Sequence, residues 1–141
     1  MTGNSEIRSY RDLLIWQKGM ALAKHVYAMT RAFPGDEKFG LTAQMRRAAV
    51  SVPSNIAEGQ ARRGRREFVQ FLSHAEGSLA ELDTQLMLAI ELGYCGPSDA
   101  EGSTAKVAEL QKIMASLRGK LAARLETIHQ PLATRHQPLI R

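Results

Sequence analysis

The sequence predicts an all-α protein, an antiparallel up-down-up-down four-helix bundle. Two observations carry that prediction. Apolar residues recur at alternating spacings of three and four along four separate segments, and no segment alternates with the period of a strand. The connections between the segments are short, which makes sequence neighbours antiparallel neighbours in space.

The first segment, near residues 10–33, carries Leu13, Trp16, Met20, Ala23 and Tyr27 on one stripe. Ile15, Leu22, Val26, Met29 and Phe33 form a second stripe beside it, while Gln17, Lys24 and Arg31 make the wet side. Ser9 with Asp12 is a start signal, and Phe33-Pro34-Gly35 ends the run. The second segment, near 40–62, buries Met45, Ala49, Val52 and Ile56. Pro53 lies within it, so a kink or a break is expected there, with Ser51 or Ser54 satisfying the freed backbone groups. Gly59 and Gly64 read as brackets of the following turn.

The third segment, near 64–93, has the cleanest pattern: Phe68, Leu72, Ala75, Leu79, Leu82, Leu86 and Ala89. This is the knobs-into-holes spacing of a left-handed bundle. Gly77 and Ser78 interrupt it with small residues that admit a close neighbour, and Gly93 and Gly96-Pro97 stop it. Ser98 through Glu101 reads as a capping box opening the fourth segment, near 98–128, where Val107, Leu110, Met114, Leu117 and Leu121 repeat. The domain plan is an N-terminal arm (1–8), the bundle (9–128) and a basic mobile tail (129–141).

Bulk properties bound the function. A chain of 141 residues with 44% hydrophobic and 23% charged residues is one globular domain rather than a disordered one. The formal charge of +5 raises the prior for a polyanionic partner if the charge is clustered. With a single cysteine, Cys95, neither an internal disulfide nor a cysteine-rich metal site can form. No signal-peptide layout and no apolar run near the roughly 20 residues of a membrane span are present, so a cytoplasmic protein with no membrane partner is expected.

Catalytic chemistry finds no footing. A di-iron bundle requires two Glu-x-x-His pairs, and only Glu126–His129 matches; His25 and His74 read as surface residues. Cys95 sits in a turn without an adjacent base, and Gly59–Gly64 lacks the spacing and following Lys-Ser/Thr of a phosphate loop. No catalytic residue, metal or cofactor is assigned.

Arginine clustering is the strongest local signal. Between residues 44 and 66 stand six arginines, Arg46, Arg47, Arg62, Arg63, Arg65 and Arg66, against one acid, Glu58. A guanidinium donates two parallel hydrogen bonds to a phosphate and stays charged at any working pH, so these six are the candidate nucleic-acid-binding residues. The competing reading is a solvated corner with cations near helix C-termini. Arg46 and Arg47 have a further alternative, pairing with carboxylates between subunits.

The run from Arg46 to Gly59, Arg-Arg-Ala-Ala-Val-Ser-Val-Pro-Ser-Asn-Ile-Ala-Glu-Gly, resembles the hallmark of a bacterial four-helix-bundle family. That family was first noticed as proteins encoded within intervening sequences of large-subunit ribosomal RNA genes. It includes the accessory variability protein of diversity-generating retroelements. Tyr10, Asp12-Leu13 and Trp16-Gln17-Lys18 resemble its first helix, Phe33-Pro34 with Phe39-Gly40-Leu41-Thr42 its first loop, and Phe71-Leu72, Gly77-Ser78 and Glu81-Leu82 its third helix. The resemblance covers roughly residues 9–122. It implies a homopentameric barrel and, for retroelement members, a basic surface that binds nucleic acid and contacts a reverse transcriptase. Pro53, Asn55 and Gly59 are then architectural: a kink, a polar bond across it and a turn glycine. His74 departs from the family's apolar or aromatic habit, and the C-terminal tail has no counterpart. The expected function is a non-catalytic oligomeric scaffold binding RNA or DNA, with a protein–protein adaptor as the alternative. A reverse transcriptase is expected as a partner only if the gene belongs to a retroelement.

Overall fold

Ser9 opens the fold by closing a turn on itself. Its hydroxyl accepts the Arg11 N–H (3.1 Å), and the Asp12 carboxylate accepts the N–H groups of Arg8 (2.8 Å) and Ser9 (3.2 Å). In the computed structural model, which describes residues 7–129, this start signal makes a separate 3-10 turn, Tyr10–Asp12. Leu13 is extended (φ −78°, ψ 129°), and the first α-helix, α1, spans Leu14–Thr30, starting later than the sequence predicts. The kink at Leu13 lets Tyr10 fold onto Trp16, with ring centroids 5.4 Å apart.

After a second 3-10 turn at Gly35–Glu37, α2 spans Leu41–Ala61, α3 Arg65–Glu91 and α4 Pro97–His129; no strand occurs among the described residues. Side-chain pairs fix the antiparallel packing. Pro53 of α2 lies against Gly19 of α1, whereas Arg46 reaches back to Thr30. Ser51 pairs with Ser78 (2.8 Å), and Gly59 faces Phe71. Arg118 forks onto Glu76 across α4 and α3, and Lys18 meets Glu109 (2.8 Å) across α1 and α4. The core at the centre is built from the predicted stripes: Leu22 and Val26, Met45, Val52 and Ile56, Leu72, Ala75, Leu79, Leu82 and Leu86, and Val107, Leu110 and Met114 are all buried.

Four local expectations are corrected. First, of the kink or break expected at Pro53, the break does not occur: α2 runs through the proline as one helix. Polar side chains on that turn carry extra hydrogen bonds, because Asn55 Nδ2 donates to both the carbonyl and the hydroxyl of Ser51 (2.8 Å each). Ser54 is exposed and takes no part. Second, Gly59 is not a turn residue. It is buried inside α2, where a Cβ would stand 2.7 Å from the Cβ of Phe71. The left-handed position of the α2–α3 corner belongs to Arg63 (φ 64°), and Gly64 precedes α3 with ordinary backbone. Third, α4 begins at Pro97, whose missing N–H costs nothing in the first turn. Asp99, rather than Glu101, reaches back, accepting the Gly96 N–H (2.9 Å). Fourth, His25 is not a surface residue. Its ring is half-buried over Gly102, and Nδ1 shares a hydrogen bond with the buried Ser103 hydroxyl (2.7 Å). His74 is exposed, edge-on to Phe71. Of the small pair on α3, Ser78 meets α2, while Gly77 faces outward with nothing within 4 Å. The tail from residue 130 and residues 1–6 lie outside the described residues.

One carboxylate ties two connections together. Glu37 Oε1 accepts the Leu41 N–H (2.8 Å), capping α2, and Oε2 accepts the Tyr94 hydroxyl (2.7 Å) from the α3–α4 corner. The Leu41 amide first, and then the Tyr94 hydroxyl, hold the Glu37 pKa below its ordinary value; Glu37 in turn pushes the Tyr94 phenol above its own. Both shifts have one sign in stability: the contribution is full above the unfolded carboxylate pKa and below the unfolded phenol pKa, about 4.3 and 10.

Three substitutions check this packing in denaturation experiments. Gly59→Ala introduces a better helix former, yet it should lose about 1–3 kcal/mol, since α2 and α3 must part to admit the methyl group. Leu79→Ala should cost about 2–5 kcal/mol as a buried truncation; a loss in urea denaturation below about 0.5 kcal/mol would place that stripe in solvent. Tyr94→Phe should lower the melting temperature at pH 7, and the difference from the parent should shrink as pH falls below about 4. A gap independent of pH would mean that the Tyr94–Glu37 bond contributes nothing.

Candidate nucleic-acid interface

The six candidate arginines fall in two places. At a rise of 1.5 Å per residue, Arg46 and Arg62 stand about 24 Å apart along α2. No single phosphate-binding patch contains both groups.

At the α2–α3 corner, Arg62 is tethered. It pairs with Glu58 one turn back (3.0 Å) and lies over the Phe71 ring, 5.2 Å from its centroid. Arg63, Arg65 and Arg66 are exposed, and among the described residues their side chains have no carboxylate partner. The left-handed backbone at Arg63 turns the chain sharply, so consecutive arginines fan out instead of stacking along one helix face. Arg63 and Arg65 line an open groove of about 790 Å³ together with Arg8, Tyr10, Gln60 and Leu121. Arg8, from the segment preceding α1, is a member that the sequence reading missed. Of the nearby acids, Asp12 is engaged by backbone N–H groups and Glu58 by Arg62, while Glu67, in the first turn of α3 beside Gly64, is exposed. The N-terminus of the long helix α3 opens here as well and adds its own partial positive charge. This end of the bundle therefore presents several unneutralised guanidinium groups to solvent.

Arg46 is differently placed. Its Nε donates to Thr30 Oγ1 (2.9 Å), its Nη2 to the Tyr27 carbonyl (3.4 Å), and its guanidinium lies 4.5 Å from the Tyr27 ring centroid. It clasps the start of α2 to the last turn of α1. Arg47 is exposed beside it, in a groove lined also by Tyr27, Lys38, Phe39 and Val50. That groove continues along α1 and α2 past Trp16, Met20, Lys24 and Arg31. This surface is aromatic and basic together, unlike the corner.

The remaining candidates do not assemble into a reactive centre. Burial pushes the Cys95 thiol up, with the Asp99 charge adding to it, which disfavours the thiolate. No group of three or more His, Cys, Asp or Glu side chains is disposed to hold a metal among the described residues. The His129 side chain of the Glu126–His129 pair lies outside them. No helix among the described residues is long and apolar enough to cross a membrane.

The family model described as 23S rRNA-intervening sequence protein matches residues 11–116. The chain belongs to that family. The intervening-sequence match runs from the start of the bundle well into α4, and it takes in both arginine groups but not Arg8. Among solved structures, a protein of unknown function from the S23 ribosomal protein family of Bacteroides thetaiotaomicron superposes with a TM-score of 0.67. It is 21% identical, over 74% of this chain and 98% of that one, a likeness of fold. No curated protein matches the sequence.

The division of labour among the arginines is measurable. Arg46→Ala should lower stability by about 1–2 kcal/mol through the lost hydrogen bonds and ring contact, whereas Arg65→Ala should stay within about 0.5 kcal/mol. Equal losses in a urea titration would contradict the assignment of Arg46 as a clasp.

Proposed function

We propose that the protein is a non-catalytic scaffold that binds RNA or DNA at the basic end of its bundle, in the form of a homo-oligomer. The observation that carries this reading is the convergence of Arg8 with Arg63 and Arg65 on one groove, with Arg66 exposed next to them; of the described acids nearby, Asp12 and Glu58 are engaged and Glu67 alone stays open. Phosphate is the ligand that suits such a surface, because the guanidinium groups of Arg63, Arg65 and Arg66 gain from a doubly hydrogen-bonding anion what no carboxylate among the described residues supplies to them. The site carries no helix placed to read base edges, so binding is electrostatic and weakly selective in sequence. Arg46 and Arg47 are not part of this site in our reading; one is tied to α1, and the other sits on the aromatic groove.

Assembly completes the proposal. The resemblance implies a pentamer, and several copies of a weak site on one ring convert modest contacts into avidity. A reverse transcriptase joins the reading only for a gene lying within a retroelement. The adaptor alternative assigns all the arginines to protein contacts. Support for it comes from the aromatic groove around Arg47, and none comes from the corner.

Affinity for single-stranded RNA or DNA should fall steeply with salt, with a log–log slope of about −0.7 per phosphate neutralised. Changing Arg62, Arg63, Arg65 and Arg66 together to Gln should flatten that slope while the helical signal and the oligomer mass hold. A variant that binds like the parent would reduce the corner to a solvated turn. Loss of the oligomer instead would assign the corner to subunit contacts.

A further inference from the structure

The charge of the chain is segregated along its length. From Glu67 through Ala105 there is no lysine or arginine, but there are seven acidic residues. This stretch is nearly all of α3, the corner after it and the start of α4. On the C-terminal half of α3, Glu81, Thr84, Leu88, Glu91 and Leu92 follow one another at spacings of three and four or lie adjacent, so they share the ridge that points away from the core. Leu88 is 45% exposed and Leu92 50%, with Met87 also exposed at their side. The ridge sets Leu88 between the carboxylates of Glu81 and Glu91, with Leu92 next to Glu91.

The groove between α1 and α2 is its complement. Phe39 is 88% exposed, and Tyr27 and Val50 are open as well. Lys38, Arg46 and Arg47 surround them, and Lys24 and Arg31 extend the same sign; no Asp or Glu lines the groove. One bundle therefore exposes two apolar patches of opposite charge on different faces. A self-complementary two-fold contact would bring like charges together on either patch. A head-to-tail contact brings each patch to its opposite.

The heights of the two patches agree. Ser78 pairs with Ser51 and Tyr94 with Glu37, so α3 from 78 onward runs alongside α2 from 51 backward. The ridge from Glu81 to Leu92 thus lies level with Phe39 and Arg47. A head-to-tail contact between patches at equal height relates copies by a rotation without a rise along the bundle axis, the geometry that closes into a ring when the rotation divides a full turn.

The geometry points to a second copy of this chain as the occupant of the groove: the Glu81–Leu92 ridge of one subunit seats on Phe39, Val50 and Arg47 of the next. This rests on the homo-oligomer reading and supplies its contact. Glu81 and Glu91 face Arg47 and Lys38, and Leu88 covers the exposed ring of Phe39.

Charge reversal on the full chain tests it. The ridge variant Glu81→Lys with Glu91→Lys and the groove variant Lys38→Glu with Arg47→Glu should each drop toward the 15.6 kDa subunit mass in light scattering, with helical circular dichroism intact. All four changes in one chain should restore the parent mass, since the two patches have then exchanged sign. Phe39→Ser repeats the test without altering charge and should also dissociate the assembly. If the parent is an oligomer and neither reversed pair changes its mass, the subunits meet elsewhere and the ridge–groove contact is wrong. Failure of the fourfold variant to reassemble, after both pairs have dissociated, would equally overturn the pairing. A parent that stays at the subunit mass at every concentration refutes the homo-oligomer itself.

Discussion

Gly59 has no side chain, and the Cβ of Phe71 occupies the space where one would be. At the other side of the same helix, Pro53 rests on Gly19. These two approaches hold α2 close to both of its neighbours, and much else in the molecule follows from that closeness. Ser51 and Ser78 come within hydrogen-bonding distance. Phe71 comes far enough forward for Arg62 to lie across its ring. The corner between α2 and α3 must then be made in very few residues, which is why a non-glycine residue, Arg63, accepts a left-handed backbone. A helix with bulkier residues at 19 and 59 would stand off, and the corner arginines would not be gathered where they are.

The two ends of the bundle are finished in opposite ways. At the end carrying the α1–α2 and α3–α4 connections, Glu37 is saturated by a backbone amide and a phenol, and its charge is spent inside the protein. At the other end, Asp12 is engaged in a turn and Glu58 in an ion pair, and Arg63, Arg65 and Arg66 are left to water beside the open carboxylate of Glu67. Exposed ion pairs add little to stability, so leaving arginines unpaired there has little energetic cost to the fold. What it does change is the field at that end, the part of the surface a polyanion would meet first.

The sequence made the bundle legible wherever burial alone decides the pattern. The stripe from Phe68 to Ala89 is found as read, as are Val107, Leu110 and Met114, because a three-four spacing has one physical interpretation on a long helix. Local signals were less specific. Ser9 with Asp12 is as good a start for a 3-10 turn as for an α-helix, and only the packing of Tyr10 on Trp16 separates the two. Glycine near a helix end reads as a turn, yet Gly59 serves a helix crossing, which depends on Phe71 twelve residues away. The arginine cluster was visible, but its division was not: Arg46 faces Thr30 and Tyr27, and Arg8 joins the corner only once the chain has folded. The cation-free stretch from Glu67 to Ala105 was in plain view. Its meaning needs the topology, which sets that stretch on a different side from the basic groove.

The short connections have a consequence in time. A bundle whose neighbours in space are neighbours in sequence has low contact order, and such chains fold within about microseconds to milliseconds. Two chains at about 1 μM, associating at roughly 10⁵–10⁷ M⁻¹s⁻¹, take from about a tenth of a second to ten seconds to meet. In the assembly proposed above, each newly folded subunit would thus spend nearly all of that interval with Phe39, Leu88 and Leu92 exposed to water. The lysines, arginines and glutamates set around those side chains would make an encounter between two like patches repulsive.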